Sequence, residues 1–322
     1  MQEIIISQTE YGQRLDKLLL KYFSQASSGF LYKMLRKKNI TLNQEKATGK
    51  EILQMGDRIQ IYFSEETFEK FRSPLQTVSN AKGELSILYE DDHILIINKP
   101  VGMLSQKAEP SDISAVEEIT AYLLNSGQLS EETLSSFRPG VCNRLDRNTS
   151  GILVAGKTLI GLQTMNQAFA ERTLHKYYLC PVQGILEKPM ELEGYLEKDA
   201  TGNIVKIKKD PTGGGTYVRT DLRPLETGKK ATLLEVELIT GKSHQIRAHL
   251  AAVSHPIFGD SKYGNPMLNQ KLKRNFGLKY QLLHAYKLEL PQLPGPLAYL
   301  SGKSFTAPLP KEFEEIWESY KA

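Results

Sequence analysis

The sequence predicts an α+β protein: a large domain on a mixed, largely antiparallel sheet, preceded by a small N-terminal α/β module. Three observations carry this. Strand-like segments come in clusters with few helical crossovers between them. The run Ile94 to Ile97 is apolar without interruption, as in a strand covered on both faces. The first 64 residues hold two short helical patterns and three short strands, enough for a separate unit.

The chain has 322 residues, 40% apolar and 24% charged, which suits two domains with a real core. Lys and Arg number 41 against 37 Asp and Glu, a net charge of +4. So mild an excess leaves the case for a polyanionic partner to the placement of the basic residues. Cys142 and Cys180 form neither a metal spacing nor a disulfide framework, which points to a reducing compartment. The N-terminus lacks the basic start and apolar core of a signal peptide. No stretch approaches the roughly 20 apolar residues needed to span a bilayer. The expected location is cytoplasmic, away from membranes.

Taken in order, "EIIIS" reads as a strand, and "QRLDKLLLKYF" has helical spacing through Leu15, Leu18, Leu19 and Tyr22. "SSGFLYKMLRKKN" offers Ser27 or Ser28 as N-cap and an apolar face of Phe30, Leu31, Met34 and Leu35. "ITLN" and "DRIQIYF" read as strands. Lys33, Arg36, Lys37 and Lys38 stay off the apolar face as a cationic ridge, which is either a solvated helix surface or a contact for phosphates. Residues 65–83 are polar with no sustained period and are expected to be a linker. The larger domain then occupies 84–322. Its strands include Leu85 to Tyr89, Ile94 to Ile97, "LHKYYLCPVQG" and "ATLLEVELITG". Thr158 caps a helix with Leu159, Leu162, Met165 and Phe169 inward, and "SHQIRAHLAAVS" is a further helix.

"VCNRLDRNTSGILVAGK" places Asp146 between Arg144 and Arg147. Flanking guanidinium groups favour an anion, suited to act as nucleophile or base, although a surface Arg-Asp-Arg cluster is the plainer alternative. On a wheel of about 100° per residue, Ile246, Leu250 and Val253 form the apolar face of the later helix. Arg247 falls at its edge, partly buried, and a buried guanidinium needs a carboxylate. Asp146 is the natural partner. His244, His249 and His255 lack the i, i+4 spacing of a helical zinc pair, so no metal site is expected. There is no Gly-x-Ser-x-Gly elbow. The glycine-rich "PTGGGTYV" lacks the ending of a nucleotide loop and reads as a mobile hairpin.

With these residues on the page, "NRLDRNTSGILVAGK" closely resembles the signature of the RluA-type RNA pseudouridine synthases. Further matches follow in that family's order: "INKPVGMLS", "HKYYLCPVQG", "TGKSHQIRAHLAAVSHPIFGDSKYG", "LLHAYKLEL" and "FTAPLP". Residues 14–63 resemble the S4-like RNA-binding module carried by the large-subunit ribosomal RNA members. The resemblance implies a sheet domain of pseudouridine synthase type that isomerises uridines, foremost in 23S ribosomal RNA, by flipping the base and without a cofactor. It implies Asp146 as the essential aspartate, Arg247 as the arginine holding it, and Tyr178 as the stacking tyrosine. Arg144 matches the arginine that helps displace the base, and Leu283 an apolar contact. Arg14, Lys17, Lys33, Arg36, Lys37 and Lys38 are the expected RNA contacts of the module. The expected partner is RNA alone, with a monomeric protein. Two positions depart from the pattern: Asn143 where the signature has His, and Lys242 where it has Arg. A non-catalytic RNA-binding protein that keeps the fold is the alternative.

Overall fold

The computed structural model describes residues 1–72, 81–199, 204–211 and 214–321. The N-terminal unit is built from β1 (Gln2–Ile5), α1 (Leu15–Tyr22), α2 (Ser28–Arg36), β2 (Ile40–Leu42), β3 (Glu45–Lys46) and β4 (Arg58–Ile61). Its sheet runs β1-β4-β2-β3 with antiparallel pairs. Leu15, Leu18, Leu19, Leu31 and Leu35 from the two helices close over Ile40, Ile59 and Ile61 of the sheet. Ser27 is the N-cap of α2, its hydroxyl accepting the Phe30 N–H at 3.2 Å.

The segment after Ser64 differs from the linker expected there. It opens with α3 (Glu65–Phe71), capped by Ser64, whose hydroxyl accepts the Thr67 N–H at 3.3 Å. The Phe68 ring stands edge-on to Phe23 with centroids 5.5 Å apart, and Phe71 lies 4.5 Å from Phe30. Two aromatic residues among charged neighbours make no visible period. Their burial is supplied by the surface they land on.

The larger domain contains β5 (Ile87–Glu90), β6 (Ile94–Lys99), α4 (Ala115–Asn125), β7 (Gly140–Val141), β8 (Ser150–Gly156) and α5 (Leu159–Glu171). It continues with β9 (His175–Gln183), β10 (Met190–Lys198), β11 (Val205–Lys208), β12 (Thr216–Gly228), β13 (Ala231–Leu238) and α6 (Gln245–Ala252). Last come α7 (Pro266–Phe276), β14 (His284–Glu289), β15 (Ser304–Thr306) and α8 (Lys311–Tyr320). The strand order is β11-β10-β12-β13-β9-β14-β8-β6-β5, with β7 on β8 and β15 on β14. Every pair is antiparallel except β14 with β8. The fold is thus α+β with a mixed, mainly antiparallel sheet. Of the glycine-rich stretch Pro211 to Val218, residues 212 and 213 lie outside the described residues, and Thr216 opens β12.

Two features position the site. β6 lies inside the sheet with both faces covered: Leu95 and Ile97 join the core that holds Leu145 and Tyr178, while Ile94 and Ile96 face Met165 and Leu297. The second is the parallel junction of β8 with β14, which pairs Gly151 with Ala285. Gly151 has φ of 109°, and a β-carbon there would lie 2.2 Å from the Ala285 carbonyl oxygen. Only glycine permits this approach, which joins the two halves of the sheet directly after the Asp146 loop.

Candidate active site

The loop from β7 to β8 carries Asp146, and its backbone is fixed by side chains around it. Ser105 Oγ accepts the Leu145 N–H at 3.0 Å and donates to the Leu145 carbonyl at 2.9 Å. The Thr149 N–H closes a turn on the Asp146 carbonyl at 3.0 Å. Asn143 binds β8, donating to the Ile152 carbonyl at 3.2 Å and accepting from the Val154 N–H at 2.9 Å. Its amide, at the position of the signature's histidine, therefore splints the loop to the sheet. Leu145 points into the core and Asp146, the next residue, points out, with 27% of its side chain exposed.

Lys99, at the end of β6, is wholly buried. Its ammonium donates to the carbonyls of Pro100 (2.9 Å), Met103 (2.8 Å) and Arg147 (3.2 Å). One cation thus ties the Asn-Lys-Pro-Val-Gly turn to the Asp146 loop. Burial pushes its pKa down to about 8, with the Asp146 carboxylate pulling the other way.

Asp146 Oδ2 receives Arg247 Nη1 at 3.2 Å, and His244 Nε2 lies 3.9 Å away. Among the described residues no ion pair joins Asp146 to Arg144 or Arg147. Arg144 is exposed, and Arg147 turns away to donate from Nε to the Gly102 carbonyl at 3.1 Å. The carboxylate's cation comes from α6, about a hundred residues on, and not from its neighbours in sequence. Adjacent residues on an extended chain point to opposite sides, and the turn at Asn148 carries Arg147 off.

Arg247 is 5% exposed, more deeply buried than the edge of a helix face suggests. Its principal partner is Asp260, which accepts from Nε at 2.7 Å and Nη2 at 2.8 Å, a bidentate pair. The guanidinium lies over the Tyr263 ring at 5.2 Å. Burial opposes the charge on Asp260, but the Arg247 hydrogen bonds and the Lys262 and Tyr263 amides outweigh it and hold that carboxyl below its usual range. Asp260 leaves one guanidinium nitrogen for Asp146. Asp260 stands inside the motif at residues 240–264, but a span of 13 residues through a loop gives no geometric signal of this role.

Tyr178 of β9 is buried beside the loop, in the core that also holds Leu145, Ile246 and Leu283. Burial first, and the Asp146 charge second, raise its pKa above the ordinary phenol range. Tyr177 points to the opposite face, where it lines a surface cleft with Glu191, Asp221, Glu235 and Glu237. Leu283 is buried, and its carbonyl accepts the Ser150 N–H at 3.3 Å. Asp146 and Arg247 are in contact, Tyr178 and Leu283 belong to the core cluster that holds Leu145 of the same loop, and Arg144 is exposed. The basic set lies apart on the N-terminal unit. Lys17, Lys33, Arg36, Lys37 and Lys38 are exposed there, and Arg14 is held by Asp16 through a 2.7 Å ion pair.

A carboxylate on a pinned loop, a buried arginine on one of its oxygens and a buried tyrosine in the core beside it suit acid–base or nucleophilic chemistry on a polar substrate. The RNA pseudouridylate synthase family profile matches residues 93–252. The ribosomal large subunit pseudouridine synthase C of Vibrio cholerae is 30% identical over 293 residues, covering 90% of this chain and 88% of the relative. The ribosomal large subunit pseudouridine synthase D of Nitrosomonas europaea is 30% identical over 292 residues, 89% of this chain and 80% of that one. Among solved structures, human RNA Pseudouridylate Synthase Domain Containing 4 superposes with a TM-score of 0.59 at 20% identity, over 72% of this chain and 92% of that one. The chain belongs to the RluA-type RNA pseudouridine synthase family.

Proposed function

We propose that the protein isomerises uridines of large-subunit ribosomal RNA to pseudouridine, with Asp146 as the reacting carboxylate. The observation that carries this is the Asp146–Arg247 pair at 3.2 Å, with the carboxylate partly open and its partner buried. In the reaction the bond from N1 of uracil to C1′ of ribose breaks and one from C5 to C1′ forms. A proton leaves C5 and one is gained at N1. Atoms and electrons balance within the substrate, so the reading includes no cofactor.

A stacked uridine hides the bond, so the base must leave the stack at a cost of a few kcal/mol. Tyr178 is assigned to stack on the flipped ring, a contact worth ~1–3 kcal/mol. Arg144, which is exposed, is assigned to the gap left in the RNA, and Leu283 to the apolar wall. Arg247 is assigned to aim Asp146, its Nη1 on Oδ2 while Asp260 holds the rest of the guanidinium. The N-terminal unit, which we assign as S4-like, is given the task of holding RNA by its phosphates.

The test is Asp146→Asn in the full chain. Pseudouridine formation on a large-subunit RNA substrate is expected to fall by at least about 1,000-fold, with RNA affinity within about twofold of wild type. Turnover at the wild-type rate would clear Asp146 of the role.

A further inference from the structure

His244, the N-cap of α6, has φ 58° and ψ 12° and makes no side-chain cap to its own helix. Glycine or asparagine takes this left-handed backbone at less cost. A histidine persists in it where surrounding contacts over-determine the position. Those contacts act on the ring. The Val205 N–H donates to Tyr263 Oη at 2.8 Å, and that oxygen lies 3.0 Å from His244 Nδ1. With one acceptor position taken by the amide, the phenol has its own proton to give, and Nδ1 is the acceptor in reach. The neutral imidazole then carries its proton on Nε2, the atom 3.9 Å from Asp146 Oδ2.

Tyr263 serves both groups that face this oxygen. Its ring stands edge-on to His244, with centroids 5.7 Å apart at 78°, and lies under the Arg247 guanidinium. The charged groups around the imidazole are Asp146 from the β7–β8 loop, Arg247 from its own helix, and Asp260 and Lys262 from the loop that follows. Burial lowers the histidine's pKa first. The two aspartates oppose that shift and the two cations reinforce it, leaving the group below its ordinary value and neutral at neutral pH.

We propose that His244 is a positioning residue for Asp146: Tyr263 fixes its tautomer so that the Nε2–H faces Oδ2, which stands between that N–H and Arg247 and leaves Oδ1 to the substrate. The inference rests on the reading of Asp146 as the reacting carboxylate. It also sets a pH dependence. When the ring takes a second proton it becomes a cation beside Asp146 and competes for the negative charge the reaction uses, so kcat falls on the acid side.

The experiment combines ring 15N NMR of the RNA-free full chain with single-turnover and steady-state rates across pH. In wild type, Nε2 is expected to be protonated and Nδ1 not. His244→Gln keeps an N–H at the corresponding position and cannot titrate; it should hold kcat within about threefold and lose the acid limb. His244→Asn suits the left-handed backbone better but is too short to reach Asp146; it should fold normally and lower kcat about tenfold at unchanged KM. Tyr263→Phe should mix the two tautomers and give an intermediate loss. A wild-type ring protonated on Nδ1, or a folded His244→Asn enzyme with wild-type kcat and acid limb, overturns the proposal. An active Asp146→Asn enzyme would instead remove the role of Asp146 and this proposal with it, whichever tautomer is seen.

Discussion

Lys99 ties the turn after β6 to the Asp146 loop. It is an ammonium with no exposure, three carbonyl partners and no carboxylate in direct contact among the described residues. Burying a lone cation is unfavourable, and its pKa near 8 records that cost. The return is geometric, because the Arg147 carbonyl belongs to the residue after Asp146. Lys99→Met keeps the volume and removes the donors, leaving the Pro100 and Met103 carbonyls unsatisfied at about 1–3 kcal/mol each, while the Arg147 carbonyl keeps the Gly102 N–H at 2.9 Å. The variant is expected to melt several degrees lower and to exchange amides faster at 101–103 and 145–149, as measured by calorimetry and hydrogen exchange. A variant with wild-type melting and protection would show that the ammonium does not hold the loop.

At the scale of elements, the core of the N-terminal unit reaches past Ser64 and includes α3. Phe68 and Phe71 complete its core against Phe23 and Phe30, so a cut at residue 64 strips the packing from those rings. The unit also rests on the larger domain. The Ser136 hydroxyl donates to Glu10 Oε1 at 2.6 Å, and the first amide of α5, at Leu159, donates to the Thr9 carbonyl at 3.1 Å. Removing residues 1–72 takes that whole core away, at the cost of the Glu10 and Thr9 contacts to Ser136 and Leu159. With the cations of α1 and α2 gone, RNA affinity should drop and the slope of log affinity against log salt should flatten by about 2–4 units, at about 0.7 per single-strand phosphate. Filter binding over a salt series measures both. An unchanged slope would place the phosphate contacts elsewhere.

For the molecule as a whole, two buried histidines make stability fall in acid. Burial pushes His249 and His284 down to about 4, from an ordinary value of 6.5. Between those values the unfolded chain holds protons that the folded chain refuses, so stability is full above about 6.5 and is lost as pH falls towards 4. Urea midpoints should drop between pH 7 and pH 5, before the carboxylates with lowered values begin to titrate. His284→Gln, which retains a polar group towards Ser150, should shrink that drop. A midpoint independent of pH across this window would contradict the burial assigned to these rings.

Much of this was legible in the chain before any fold was known. Apolar runs and caps marked β6, α1, α2 and α5, since local spacing and a serine or threonine before a helix act within a few residues. Asp146, Arg247, Tyr178 and Leu283 stood in motifs whose order along the chain pointed to one site. What only the tertiary structure decided was pairing over distance. The pairing of Asp146 with Arg247 was expected from the helix wheel and the motif, but the structure alone shows that the flanking arginines take no part, that Asp260 holds Arg247, and that Lys99 binds the next loop through backbone carbonyls. The α3 helix belongs to the same class, because its two aromatic rings have meaning only against the surface that receives them. Local sequence specifies conformation through propensity and period, whereas a buried charge takes its partner from whatever the folded chain brings within about 3 Å.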